Sequence, residues 1–325
     1  MSQSFNIIGA GAAGLLAGAM LRDECATITE AAPSLPHNHS ALLRFRSSIV
    51  GDALGIPFRR VSVIKAVAGA YLSNPICDAL AYSVKTTGWA TARSILSARG
   101  EIEERYIAPP DFIERMARKV TAVMLFNSPW DFGQERASHH LPLISTIPMP
   151  ALAAALRYEG LPEFPAVHGI TLRATLRDVD AHATLYFPHD NVPFYRASIT
   201  GDRLILEYAM PGHSPAVVDY AIEKISAGSR DIYEDIRLAF AAFGLDAIHQ
   251  EYDNVELKAQ RYMKILPIEN DARERFILWA SENHNVYSLG RFATWRPGLL
   301  LDDIVNDVRV IQRIAAGTSY AKRKG

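Results

Sequence analysis

MSQSFNIIGAGAAGLLAGAML opens the chain, with Gly9, Gly11 and Gly14 between a short apolar run (Phe5, Ile7, Ile8) and a stretch of small and apolar residues reaching Leu21. Three side-chain-free positions at a first strand-to-helix turn restrict the fold sharply. The first glycine permits a tight turn, the second lets a pyrophosphate come against bare backbone, and the third lets helix and strand touch. Ala12 and Ala13 complete the turn. The helix start offers unpaired N–H groups and the positive end of its dipole to phosphates.

A second apolar segment, Ala26 to Thr29, ends on Glu30. That acid follows Gly9 by about 20 residues, the offset at which a carboxylate meets an adenosine ribose. The spacing predicts a dinucleotide-binding α/β domain; the plainer alternative is a glycine-rich turn in an ordinary α/β domain.

At 325 residues the chain can bury a sizeable core in one large or two intertwined domains. A hydrophobic fraction of 49% and a charged fraction of 21% fit a globular protein, and a formal charge of −1 gives no bulk basic surface for nucleic acid. A local basic groove stays open. Cys25 and Cys77 show neither metal-ligand spacing nor a disulfide framework, and His139-His140 lacks ligand partners, so no metal is expected. The apolar start is too short to span a bilayer and is used by the glycine turn. The expectation is a cytoplasmic protein without a membrane partner.

Residues 58–65 alternate like a strand, and 66–120 read as mostly helical, with Asp111 as N-cap of a helix from Phe112 to Val120. Val120–Phe126 and Leu141–Thr146 read as strands rejoining the nucleotide domain. From 169 to 208 the period-2 alternation predicts a meandering antiparallel sheet. A helical stretch follows over 215–243; FILWA (276–280) and NVYSLG (285–290) read as strands, and a long helix starts near Leu301.

IIGAGAAGLLAG at the start, LYFPHDNVPFYRAS at 185–198 and SLGRFATW at 288–295 together resemble the UDP-galactopyranose mutase-like branch of the flavin amine oxidase and protoporphyrinogen oxidase clan. LISTIPMP (143–150) is similar to the clan's strand and turn before its substrate region. The resemblance implies an α/β fold: a Rossmann-like FAD-binding domain, interrupted and built from both chain ends, with an inserted antiparallel-sheet plus helical substrate domain. The expected FAD domain comprises 1–57, 120–165 and 266–325, and the substrate domain 58–119 and 166–265.

By the same resemblance, Gly9, Gly11, Ala12, Ala13 and Gly14 would hold the FAD pyrophosphate, and Glu30 the adenosine ribose. Gly290, Arg291 and Phe292 would meet the cofactor from the other side. His39 (rather than His37) would neighbour the flavin ring, and Arg196 would contact an anionic substrate. Lys264 corresponds to the lysine that flavin amine oxidases place near the flavin. Arg44 and Arg46, flanking Phe45, either aim at a phosphate or form a solvated strand face. The stretch after Glu30 lacks the family's Gly-Gly pair, and RPGLLLDD stands where the mutases continue differently. The resemblance therefore reaches FAD binding further than it reaches a UDP-sugar site.

The implied function is an FAD-dependent oxidoreductase or lyase acting on a small anionic, amino-acid or nucleotide-type substrate by amine C–H oxidation or C–N/C–C cleavage. Acid/base work would fall to His39 or Lys264. Three alternatives stand beside it: a mutase-type isomerase using reduced flavin; a phage flavoenzyme of the host cytoplasm processing an amino-acid-modified thymine in DNA; and a non-catalytic FAD-binding protein.

Overall fold

The structure, a computed structural model, describes residues 4–35, 44–68, 75–90, 99–132 and 141–322. Along the chain run β1 (Phe5–Ile8), α1 (Ala12–Leu21), β2 (Cys25–Thr29), β3 (Arg44–Phe45), α2 (Ile49–Leu54), β4 (Arg59–Val67), α3 (Pro75–Thr87) and β5 (Arg99–Ile107). Then come α4 (Phe112–Lys119), β6 (Val123–Leu125), β7 (Leu143–Ser145), α5 (Met149–Ala155), β8 (Ala166–Leu176), β9 (Ala181–Tyr186), β10 (Arg196–Gly201) and β11 (Arg203–Met210). The chain closes with α6 (Pro215–Ser226), α7 (Ile232–Phe243), β12 (Tyr252–Ile265), α8 (Asn270–His284), β13 (Val286–Ser288) and α9 (Leu301–Lys322). Two units result. One holds Met1–Arg59, Tyr106–Pro165 and Ile265–Gly325; the other holds Arg60–Arg105 and Ala166–Lys264.

In the first unit a parallel sheet runs in the order β13-β7-β1-β2-β6. Register sets Ile7 beside both Ile28 and Ile144, and Ile144 beside Tyr287. These side chains join one core with Leu15, Leu16, Met116, Val305 and Val308. The smallness of α1 has a direct cause: a Cβ on Gly18 would stand 2.7 Å from Ile28 Cδ1. Residues 106–119, assigned from sequence to the substrate domain, belong to this unit, because Phe112, Ile113 and Met116 are buried in its core. Phe112 packs edge-on against Phe45 and Phe58 at ring separations of 5.8 and 5.3 Å.

In the second unit the strands follow the order β12-β8-β11-β10-β9-β4-β5. Leu172, Leu185, Ala197 and Leu206 share one sheet face and bury against Ile236, Ala239 and Phe240 of α7. Alternation puts Thr171, Arg173, Thr184, Arg196, Ser198 and Glu207 on the opposite face. That face is polar and mostly buried.

Several local expectations are corrected. FILWA is not a strand but the middle of α8, where Phe276 and Ala280 are buried and Leu278 is 59% exposed, a period of four rather than two. The segment 66–120 contains β5, whose alternation is hidden among charges; its Glu103 bonds Lys65 of β4. Asp111 does not cap α4 with its side chain, because its carboxylate instead accepts from Arg115 Nε at 2.7 Å and from Arg118. The sheet at 169–208 is antiparallel but not a simple meander, since β8 pairs with β11, eight residues against eight. The 215–243 stretch divides at Gly228 (φ +85°), after which Asp231 caps α7 by accepting from Tyr233 and Glu234 N–H. The long alternating strand β12 was not foreseen.

Candidate functional site

At the end of β1 the chain turns at Gly9 (φ +95°), whose N–H donates to Thr29 C=O at 2.8 Å. A Cβ there would lie 2.2 Å from Thr146 Oγ1, and that hydroxyl donates to Ile8 C=O at 2.8 Å. A Cβ on Gly14 would stand 1.9 Å from Gly9 C=O. Protein atoms thus require these two glycines. Gly11 differs: nothing lies within 4 Å of its Cβ position. It is the N-cap of α1, with no side-chain cap and no acidic residue in the first turn. Helix N–H groups therefore open onto space that a side chain would fill, which is the cradle an anionic diphosphate needs.

Glu30 closes the turn from below. Its Oε2 accepts the Ala10 N–H at 2.7 Å and its Oε1 the Ala32 N–H at 2.9 Å. An ionised carboxylate has about four acceptor sites, so capacity remains for a diol. Gly290 (φ +99°) approaches the same helix start: its Cβ position is 3.1 Å from Ala13 Cβ. The Gly290 carbonyl accepts from Thr294 N–H at 2.9 Å and Thr294 Oγ1 at 2.8 Å, and Phe292 C=O accepts Met149 N–H at 2.9 Å. The Arg291 guanidinium lies 5.8 Å from the Phe292 ring centre. Thus Gly9, Gly11, Ala12, Ala13, Gly14, Glu30, Gly290, Arg291 and Phe292 gather in one unit.

Arg44 pairs through β3 with Ile107 of β5. Arg46 forms an ion pair with Asp303, while Asp302 Oδ1 accepts from Ser47 N–H at 3.0 Å and Ser47 Oγ at 3.2 Å. The acidic start of α9 therefore anchors the 46–47 segment. His37, His39 and the pair His139-His140 lie outside the described residues. Among those described, no group of His, Cys, Asp and Glu is arranged to hold a metal ion, and no helix is long and apolar enough to cross a membrane.

In the second unit Arg196 and Lys264 belong to one buried network. Arg196 donates through Nη2 to Glu207 Oε1 at 2.7 Å and through Nε to Oε2, a two-pronged pair. Tyr195 OH donates to Glu207 Oε1 at 3.0 Å. Lys264 Nζ donates to Tyr82 OH at 3.1 Å and lies 4.4 Å from the Tyr195 ring centre. Burial would raise the Glu207 carboxyl, but Arg196 and Lys264 outweigh it and hold the carboxyl below its usual range. Burial, with Glu207 alongside, pushes the Tyr195 phenol well above its ordinary value.

Sequence reasoning missed Glu207, Tyr82 and the pinning of the 187–195 segment to α3. Lys85 Nζ donates to the carbonyls of His189 and Val192 at 2.6 Å each, and His189 Nε2 meets the buried Asp78 at 3.0 Å. Burial lowers the Lys85 amine to about 8, against a smaller opposing effect from Asp190. Glu207 had a findable signal, since the Gly201-Asp202 turn sets β10 against β11 with Arg196 opposite Glu207.

The chain matches no known protein-family model, and no curated protein matches it. Solved structures do share its fold. It superposes on reduced UDP-galactopyranose mutase with a TM-score of 0.65 at 13% identity, covering 97% of this chain and 94% of that one. An oxidoreductase from Methanosarcina mazei gives 0.57 at 11% identity, covering 95% and 100%. Aklavinone-11 hydroxylase, in complex with FAD and aklavinone, gives 0.54 at 11% identity, covering 98% of this chain and 63% of the hydroxylase. The fold is that of FAD-binding Rossmann-like enzymes.

Proposed function

We propose that this chain is an FAD-dependent enzyme acting on a small anionic substrate by amine C–H oxidation or by C–N or C–C cleavage. One observation carries the reading. The open position at Gly11 stands at a helix N-terminus, and the Gly290 turn comes within 3.1 Å of Ala13 on that same helix. Two glycine turns from opposite ends of the chain, converging on one helix start, suit a long dinucleotide.

In this reading the N–H groups of the Gly11–Gly14 turn bind the diphosphate, and Glu30 accepts from the ribose hydroxyls while keeping its bonds to Ala10 and Ala32. Gly290, Arg291 and Phe292 serve the ribityl side, with Arg44 as a further cation. When bound, FAD supplies the hydride acceptor or, if reduced, a nucleophile toward a sugar carbon. Arg196, oriented by Glu207, offers its remaining N–H groups to the substrate. Lys264 or His39 moves the proton.

A mutase-type isomerisation is the second reading, supported by a superposition that spans nearly all of both chains. Anaerobic mixing with candidate primary and secondary amines separates the two. An oxidase reading expects the flavin absorption to bleach with an amine. Absence of bleaching across the amines, together with UDP-sugar isomerisation only after dithionite reduction, would favour the mutase.

A further inference from the structure

We propose that Arg173 is an anion-binding residue on the polar face of the second unit's sheet, taking an oxyanion group, carboxylate or phosphate, of the substrate. Its substrate assignment rests on the enzyme reading above; its anion binding does not.

The sequence GITLRATL sets one guanidinium inside an otherwise apolar and hydroxyl-bearing strand. Register places Arg173 beside Ile205, Ile205 beside Ser198, and Ser198 beside Thr184, one row across β8, β11, β10 and β9. The row lies opposite the apolar face that Leu172 and Leu206 bury. The Arg173 side chain is only 6% exposed, and among the described residues its Nε and Nη2 are buried without a hydrogen-bond partner. Among the described residues its one counter-charge is Glu256, 3.9 Å from Nη1, beyond hydrogen-bond reach and 49% exposed.

Arg196 is the contrast. Both of its bonded nitrogens meet Glu207, so its charge is neutralised inside the protein. Among the described residues Arg173 has no such partner. A guanidinium stays charged at any working pH and presents parallel donors matched to a carboxylate or phosphate. Leaving two of its donor nitrogens buried and unmade is unfavourable unless something else completes them. The Thr184 and Ser198 hydroxyls, 3.0 Å apart in the same row, are neutral groups of the kind that accompany an oxyanion site. Burial depresses the Arg173 guanidinium, Glu256 opposes it, and Arg203 on the neighbouring strand adds a smaller like-charge effect.

Titration calorimetry on the full chain preloaded with FAD, at low salt, tests this with inorganic phosphate in one arm and oxalate in the other. The wild type should bind one equivalent of at least one probe, and the tighter arm identifies the class of group. Arg173→Met should weaken binding by about 10- to 100-fold, the loss of a charged hydrogen-bonding partner. Glu256→Gln should tighten it, because the carboxylate competes with the probe. If Arg173→Met does not fold, Arg173→Lys decides: it keeps the charge but not the fork, so weaker binding supports the site and unchanged binding overturns it. No binding to the wild type, or wild-type affinity in Arg173→Met, overturns the proposal. Unchanged anion affinity in Glu256→Gln, with lost thermal stability, would make the pair merely structural and also overturn it. A chain that takes up no FAD yet binds phosphate through Arg173 would sink the cofactor reading and leave this one standing.

Discussion

Gly290 and Ala13 come from opposite ends of the chain, yet a Cβ on Gly290 would stand 3.1 Å from Ala13 Cβ. Gly290 also has a φ of +99°, which L side chains adopt only with strain. Gly290→Ala should therefore lower stability by about 1–3 kcal/mol and weaken FAD binding with it. Thermal unfolding with and without added FAD measures both.

The three glycines of the first turn should respond differently to one added methyl. Gly14→Ala places a Cβ 1.9 Å from Gly9 C=O and should abolish the native turn. Gly11→Ala meets nothing within 4 Å, so stability without cofactor should stay within about 0.5 kcal/mol of wild type. Its FAD affinity should nevertheless fall. A comparison of Tm and FAD Kd for the two variants checks the contrast.

Such backbone requirements were legible in the sequence because glycine spacing encodes them directly. Strand pairings were less so. One parallel neighbour of β1, β7, comes from a distant segment, and β5 carries its pattern on Glu103, whose partner Lys65 is invisible until β4 lies alongside. FILWA misled because a short apolar run has no period of its own; only burial of Phe276 and Ala280 on one helix face decides it. Arg196 was singled out through its motif, whereas its partner Glu207 required reading the Gly201-Asp202 turn as a hairpin register.

Removing Arg196 leaves Glu207 as a buried carboxylate without its main counter-charge. Arg196→Met should destabilise by about 3 kcal/mol, at the low end for a broken buried pair because Arg196 keeps 30% exposure. Glu207→Gln on top of it should recover part of the loss. A double-mutant cycle in urea reads the coupling, and additive effects would contradict a shared network.

Lys85 has a pH signature. Its folded value of about 8 lies below the ordinary 10.5, so between these values the unfolded chain binds a proton that the folded chain lacks. Stability relative to Lys85→Met should rise as pH increases through that window. The slope should fall well short of the ~1.4 kcal/mol per unit of a full proton, because the amine is partly exposed and screened. Urea midpoints across the window give the sign.

The absorption spectrum of the purified protein, with the mass of any cofactor released on denaturation, tests the central claim most directly. Flavin bands near ~375 and ~450 nm and a released mass equal to FAD are the predicted result, the colour being the cofactor's own. A colourless protein that binds NAD tightly and takes up no added FAD would contradict it.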